Sequence, residues 1–356
     1  MPKTIVVVGA GIIGASIAYH LAARGARVLV LDAAEPGGNA TRASWAWINA
    51  SWGNPHFYFR FRTRSMREWR RLESEVPGLE VRWCGGLLWD LPPDRLKAFA
   101  QEHRSWGYGI RVLDRADALT IEPNLREPPE MAVHVADEGV AEPLAASQAL
   151  LAAARARGAE IRGHAHVKRL LVEGGRVTGV ETEEGSVIGD EVVLAAGAGT
   201  PPLAASAGVR VPITTPAGLL VHSKPLEKVL NGLVLSPELH VRQTADGRLV
   251  AGSDFGGAEP GLAPDTAALS LFAKMQGLLK DGSSLEYEFH TIGYRPTPAD
   301  EVPIIGRAPK VAALYIAVMH SGITNAAAVG LMASREVIEG ERDELLLPFG
   351  LERFSG

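Results

Sequence analysis

The chain is 356 residues long with a formal net charge of -5, and 46% of its residues are hydrophobic against 22% charged. This length and composition suit a soluble protein of two lobes and exclude a disordered chain, while the scattered arginines and acidic balance exclude a nucleic-acid surface. Cys84 is the only cysteine, so no disulfide and no cysteine-rich metal site can form, no metal is expected, and a reducing cytoplasm is the expected location.

The first apolar run, Ile5 to Leu21 behind Lys3, has the length of a secretory signal. Three glycines, Ser16, Tyr19 and His20 interrupt it, so neither a signal nor a membrane span is expected. Thr4–Val8 (TIVVV) reads instead as a buried strand, followed at once by Gly9-Ala10-Gly11-Ile12-Ile13-Gly14. Residues 15–24 have helical spacing, Gly25 ends that helix, and residues 26–31 form a second strand closing on Asp32. This is GxGxxG in the context that binds a dinucleotide. Gly9 permits the turn, Gly11 lets the backbone approach a pyrophosphate, and Gly14 lets the helix pack closely. Asp32, followed by Ala33, is placed for the ribose hydroxyls, which argues against a 2′-phosphate.

Further along, a helix is expected over about 143–157, a strand over 158–161, and a hairpin over 166–182 turning at Gly174-Gly175. DEVVLAAGAG, residues 190–199, reads as a buried strand running into small residues that let backbone meet a ligand. Residues 81–91 and 233–252 carry strand patterns, the second with a turn at Asp246-Gly247. Helices are expected over 266–279 and about 324–338, the last preceded by the strand Leu314–Val318.

The opening unit, DEVVLAAGAG, GYRPTPADEVPIIG and MHSGITNAAAVG together resemble the D-amino-acid oxidase, glycine oxidase and sarcosine oxidase family over nearly the whole chain. The resemblance implies FAD, and an α/β plus β fold. A glutathione-reductase-like Rossmann domain (about 1–80, 141–215 and 295–356) would bind FAD, and an antiparallel-sheet substrate domain (about 81–140 and 216–294) would cover the flavin. Its activity would be oxidative deamination of a D-amino acid, glycine, sarcosine, proline derivative or related secondary amine, with hydride passing from the α-carbon to flavin N5. An NAD-linked dehydrogenase, a noncatalytic flavoprotein and a subunit of a larger amine dehydrogenase are the alternatives.

In that family the arginine of the RP motif forks onto the substrate carboxylate, and Arg295 falls on this position, beside the flavin; an interdomain salt bridge to Asp300 or Glu301 is its other reading. His240 stands where glycine oxidases carry a substrate-facing tyrosine and suits a hydrogen bond to carboxylate or a proton from the ammonium. Arg242 shares its strand face. Thr41 and Arg42 resemble the Thr-Arg pair of sarcosine oxidases and suit a diphosphate. Trp45, Trp47 and Trp52 would wall a pocket or fill core, and His56 and Tyr58 lie just beyond. Val167, Ala196 and Gly197 fall where the family lines FAD. Ser321, Gly322, Ile323 and Thr324 would aim a helix N-terminus at the flavin pyrimidine oxygen, where negative charge builds on reduction, with His320 packing alongside. Sarcosine oxidases with covalent flavin carry a cysteine where this chain has Gly293, so noncovalent FAD is expected. Their oxygen-directed lysine falls on Val250, which leaves oxygen or a quinone-like carrier as acceptor, and for the latter a peripheral place on the inner membrane.

Overall fold

The computed structural model describes residues 1–51, 53–253 and 263–354. Thr4–Val8 pairs in parallel with Arg27–Leu31 on one side and Glu191–Leu194 on the other, so this β-branched run is the centre of a six-stranded sheet. Glu160–Arg162 extends the sheet at one edge; Leu314–Val318 and the antiparallel Ile304–Arg307 extend it at the other. The chain leaves the first strand in one direction and returns on its far side. Such a reversal opens a crevice at the carboxyl ends of the strands, at Val8, Leu31 and Leu194.

The helices Ile12–Ala23, Pro143–Arg155 and Gly322–Glu339 pack together against this sheet. Ile12–Ala23 packs against the last helix, Gly322–Glu339. At their crossing a Cβ on Gly330 would lie 2.1 Å from Ser16 Oγ and 2.6 Å from His20 Nδ1, so only glycine fits. His20 is buried there, its Nδ1 2.8 Å from the Ser16 carbonyl and its Nε2 3.0 Å from the Arg71 guanidinium. Those partners fix a neutral ring that donates from Nδ1 and accepts at Nε2. Burial above all, with the Arg71 and Arg24 charges, lowers its pKa from 6.5 to about 4. The unfolded chain therefore binds a proton that the fold refuses, and His20 lends stability that is complete above about pH 6.5 and is lost as pH falls towards 4. Within that window each pH unit is expected to remove up to ~1.4 kcal/mol for this group. Urea midpoints measured at both ends of the window read it, and a His20→Gln chain that loses as much stability as the parent would refute the assignment.

The expected hairpin turns at Gly174 and Gly175, whose φ values of 54° and 77° suit a type I′ turn. The second large sheet has eight strands, in the order Tyr287–Tyr294, Ala217–Ser223, Leu249–Gly252, His240–Gln243, Leu233–Leu235, Gly86–Leu88, Met131–Val135, Ile110–Asp114. An antiparallel sheet was the expectation. One pairing corrects it: Leu233–Leu235 runs parallel to Gly86–Leu88, where two separate meanders join into one mixed sheet. The helices Pro143–Arg155, Pro264–Leu278 and Gly322–Glu339 and the strand Leu314–Val318 lie where the sequence places them. A twenty-residue helix, His56–Glu75, lies where the sequence reading expected no element. Among the described residues no helix is long and apolar enough to cross a membrane.

Candidate functional site

A cleft of about 740 Å³ runs from the crevice of the six-stranded sheet to the mixed sheet. Gly9, Gly11, Ile12 and Ile13 line one end with Asp32 and Ala33. Gly9 has φ 105°, and a Cβ there would lie 2.4 Å from the Ala195 carbonyl oxygen, so the turn is bare backbone. Gly11 faces Gly38, whose Cβ would meet Gly11 Cα at 2.8 Å. Gly14 does not line the cleft; its Cβ would sit 1.9 Å from the Gly9 carbonyl oxygen, so its part is to seat the helix on the turn. Thr41 Oγ1 accepts the Ile12 N–H at 3.1 Å, which joins the loop after the second strand to the helix N-terminus. Arg42 is exposed and turns outward, where it reaches the Pro36 carbonyl at 3.5 Å rather than the cleft.

The Asp32 carboxylate accepts N–H groups of Ala10 at 2.6 Å and Ala34 at 2.9 Å, one on each oxygen. Both oxygens keep a lone pair for a ribose, and their charge opposes a phosphate there. The Ala165 N–H donates to the Asp32 carbonyl at 2.8 Å, which brings Val167 into the lining beside it. Ala196 and Gly197 follow the strand Glu191–Leu194 and close this part of the wall. Ser321, Gly322, Ile323 and Thr324 line the cleft at the head of the last helix. Ser321 is left-handed (φ 57°), a conformation that costs a non-glycine residue energy and recurs at ligand sites. A Cβ on Gly322 would meet Ile13 only at ordinary contact, 3.6 Å, so its bare surface faces the cleft and not a neighbour.

At the other end, Arg295 lies flat against Gly218, where an added Cβ would come within 3.2 Å of the guanidinium. Asp300 forks onto Arg353 at 2.7 and 3.0 Å. His240 is buried and lines the cleft, its Nε2 3.4 Å from an Asp90 oxygen and its ring tilted against Trp45 at 5.8 Å. Trp45 and Trp47 both line the cleft, edge to face at 5.9 Å; Trp52 lies outside the described residues. His320 also lines it, 3.1 Å from Ser321 Oγ, and burial with the charges of Arg295 and Arg62 lowers its pKa from 6.5 to about 4. It is therefore a neutral ring near pH 7.

Three more candidates, besides Arg42 and Gly14, fall elsewhere. Arg242, on the same strand face as His240, does not line the cleft: it binds Glu142 at 2.9 Å and the Trp45 carbonyl at 2.7 Å, and so holds the Trp45 wall. His56 stands exposed at a helix start, against Phe59 and Trp106. Tyr58 is buried behind the cleft, accepting from Asn325 Nδ2 at 2.9 Å. Val250 is a buried sheet residue whose carbonyl accepts from Trp45 Nε1 at 3.1 Å; Gly252 and Ser253 are the residues of that segment that reach the cleft.

Sequence reasoning missed Arg62, Asn49 and Glu138. Arg62 and Asn49 line the cleft and bond each other. Glu138 is fully buried behind Trp47, accepting from Trp47 Nε1 at 2.9 Å, Tyr108 Oη at 2.5 Å and Ser51 Oγ, and burial raises its pKa from 4.5 to about 7. Arg62 had a signal: Tyr58, Arg62, Ser65, Trp69 and Leu72 recur at helical spacing and are all buried.

A crevice at a strand reversal, a bare glycine turn under a helix N-terminus and a ribose-directed acid fit an extended dinucleotide, and the small-residue walls fit the flavin half. These features define a flavoprotein oxidoreductase. Residues 4–335 match the family model described as FAD dependent oxidoreductase, and the chain belongs to that family. It is an enzyme of that class and its cofactor is FAD. It is 28% identical over 337 residues to a glycine oxidase of Pseudomonas putida, covering 90% of each chain. With one of the subunits of an opine oxidase of Agrobacterium tumefaciens it shares 26% identity, covering 98% of this chain and 96% of the other. Among solved structures, the L-proline dehydrogenase of P. horikoshii superposes with a TM-score of 0.89 at 25% identity, covering 100% and 99% of the two chains. A glycine oxidase from Geobacillus kaustophilus gives 0.87 at 22% identity, with 99% of each chain covered, and shares the fold.

Proposed function

We propose that the protein catalyses oxidative deamination of a small amino acid or secondary amine of the glycine, sarcosine, D-amino-acid or proline type. The observation that carries this is Arg295 lying flat on Gly218 in the cleft that holds the dinucleotide cradle. A planar guanidinium there offers two parallel bonds to a substrate carboxylate and fixes the α-carbon. Bound FAD supplies the hydride acceptor, N5. His240, held toward Asp90, accepts a proton from the substrate ammonium, which must be neutral before hydride leaves. The indoles of Trp45 and Trp47 keep water from the reacting carbon. Water hydrolyses the resulting iminium ion to a keto acid and ammonia or an amine.

FAD is held without a covalent bond in this reading. A Cβ at Gly293 would fall 2.7 Å from Ala43 Cβ, which leaves no room for a flavin-linking cysteine side chain. The two large sheets draw on separate segments, in support of a glutathione-reductase-like cofactor domain at about 1–80, 141–215 and 295–356 and a substrate domain at about 81–140 and 216–294. Electrons pass on to oxygen or a quinone-like carrier in the cytoplasm or at the inner membrane surface. A second reading, one component of a larger amine dehydrogenase, is favoured by the relatives described as subunits of opine oxidase and of hydrogen cyanide synthase.

The test is anaerobic mixing of the yellow protein with glycine, N-methylglycine, D- and L-amino acids and proline derivatives while the visible flavin band is followed. Bleaching by one group is expected, and a band that persists with every amine would overturn the catalytic reading in favour of a partner-dependent one. In His240→Ala the pH profile of bleaching is expected to shift; an identical profile would reduce His240 to scaffold.

A further inference from the structure

Two arginines among the described residues are buried, and their surroundings differ. Arg242, 2% exposed, has its counter-charge in Glu142 at 2.9 Å. Arg62, 4% exposed, has no carboxylate within 4.0 Å among the described residues. Its Nε donates to the Asn49 carbonyl at 3.0 Å and one terminal nitrogen to Asn49 Oδ1 at 2.7 Å. The other terminal nitrogen reaches the Tyr58 hydroxyl at 3.4 Å. All of these acceptors are neutral. Glu138, the buried acid that feels the Arg62 charge, is already bound by Trp47, Ser51 and Tyr108. Burying a cation without an anion is costly, so the missing charge is to be sought where the side chain is open, in the cleft it lines.

The partners of Arg62 also hold the first turn of the last helix. The Asn49 N–H donates to Thr324 Oγ1 at 3.4 Å, Thr324 Oγ1 donates to the Trp47 carbonyl at 2.8 Å, and Asn325 Nδ2 donates to the Tyr58 hydroxyl at 2.9 Å. A helix N-terminus carries roughly half a positive charge of its own. Guanidinium and helix end thus meet at one part of the cleft, which the strained Ser321 also borders.

We propose that Arg62 is an electrostatic residue of the flavin site: with the N-terminus of the last helix it stabilises the negative charge that FAD gains at its pyrimidine edge on reduction. This rests on hydride transfer to FAD. With FAD bound, the C–H electron pair and its proton would go to N5, the neutral amine would become an iminium ion, and the added negative charge would fall on N1 and the C2 carbonyl. A fixed cation there stabilises the reduced form more than the oxidised one.

The experiment is a reduction potential of the holoenzyme, read anaerobically against a reference dye with a chemical reductant and no amine present, so that it stands even if every tested substrate fails. Arg62→Met with full FAD content is expected to lower the potential by the equivalent of at least a tenfold loss of the reduced form, about 30 mV for a two-electron couple. Sulfite affinity for the oxidised flavin should fall in parallel, and Arg62→Lys should restore part of both. Arg62→Gln, which keeps donors for Asn49, serves where the methionine variant does not hold FAD. The parent enzyme in mildly acidic buffer is expected to take up one proton for two electrons. Uptake of two, an unchanged potential in the variants, or a raised KM with the potential unmoved as for a second carboxylate site, would each overturn the assignment.

Discussion

Replacing Arg295 with methionine is expected to leave FAD bound and to raise the KM for an amino-acid substrate by roughly 10²–10⁴-fold. Each charge-assisted bond of a guanidinium fork contributes roughly 1.5–3 kcal/mol, and two are lost, at about 1.4 kcal/mol per factor of ten. The flavin should stay because its hold is elsewhere, on the Gly9–Ile13 turn, Asp32, Thr41 and the head of the last helix. Methionine keeps the apolar stem of the arginine against Gly218, so the change is close to a removal of charge alone. Steady-state kinetics with flavin content measured alongside settles it. A variant that saturates like the parent would remove the clamp.

A single methyl group at Gly14 is expected to do more damage than the loss of that charge. In Gly14→Ala the new Cβ would sit 1.9 Å from the Gly9 carbonyl oxygen and 2.9 Å from its carbon, both backbone atoms with nowhere to retreat. Helix and turn must separate, the first-turn N–H groups leave the cleft, and the cost is expected to exceed ~3 kcal/mol. The protein should be isolated colourless or not at all. Gly25→Ala is the control: it lies outside the regular elements, at φ 78° with nothing within 4 Å of the added atom, and should cost only about 1 kcal/mol and stay yellow. Equal FAD content in the two variants would show that the glycine turn does not hold the cofactor.

Local patterns were legible where one segment carried its own instruction. The β-branched Thr4–Val8 and the run Leu314–Val318 are strands to the residue, and Gly174-Gly175 turns as its chemistry requires. The helix His56–Glu75 escaped because arginines at alternate positions from Arg60 to Arg64 hide the apolar stripe that Tyr58, Ser65, Trp69 and Leu72 continue. The parallel pairing of Gly86–Leu88 with Leu233–Leu235 escaped for another reason: strands of three residues joined across so much chain leave no mark in either segment. At the site, face arithmetic put Arg242 on the side of His240 but could not reveal Glu142, which captures its charge. Arg42 and Thr41 are neighbours in sequence, yet the short helix Asn39–Arg42 turns one hydroxyl inward to Ile12 and leaves the guanidinium outside.

The order in which this chain leaves the ribosome does not match the order in which its parts need one another. The nucleotide strand Thr4–Val8 is flanked by Glu191–Leu194, which in turn waits for Leu314–Val318, and the first helix is sealed by Gly330, made long after it. Until then Ile12, Ile17 and Leu21 have no last helix to bury against, though domains usually fold as they emerge. Synthesis therefore leaves the apolar strand and helix around the glycine turn without that cover until Gly322–Glu339 has been made. The seat for FAD, which draws on both Gly9–Ile13 and Ser321–Thr324, is complete only once that last helix is in place.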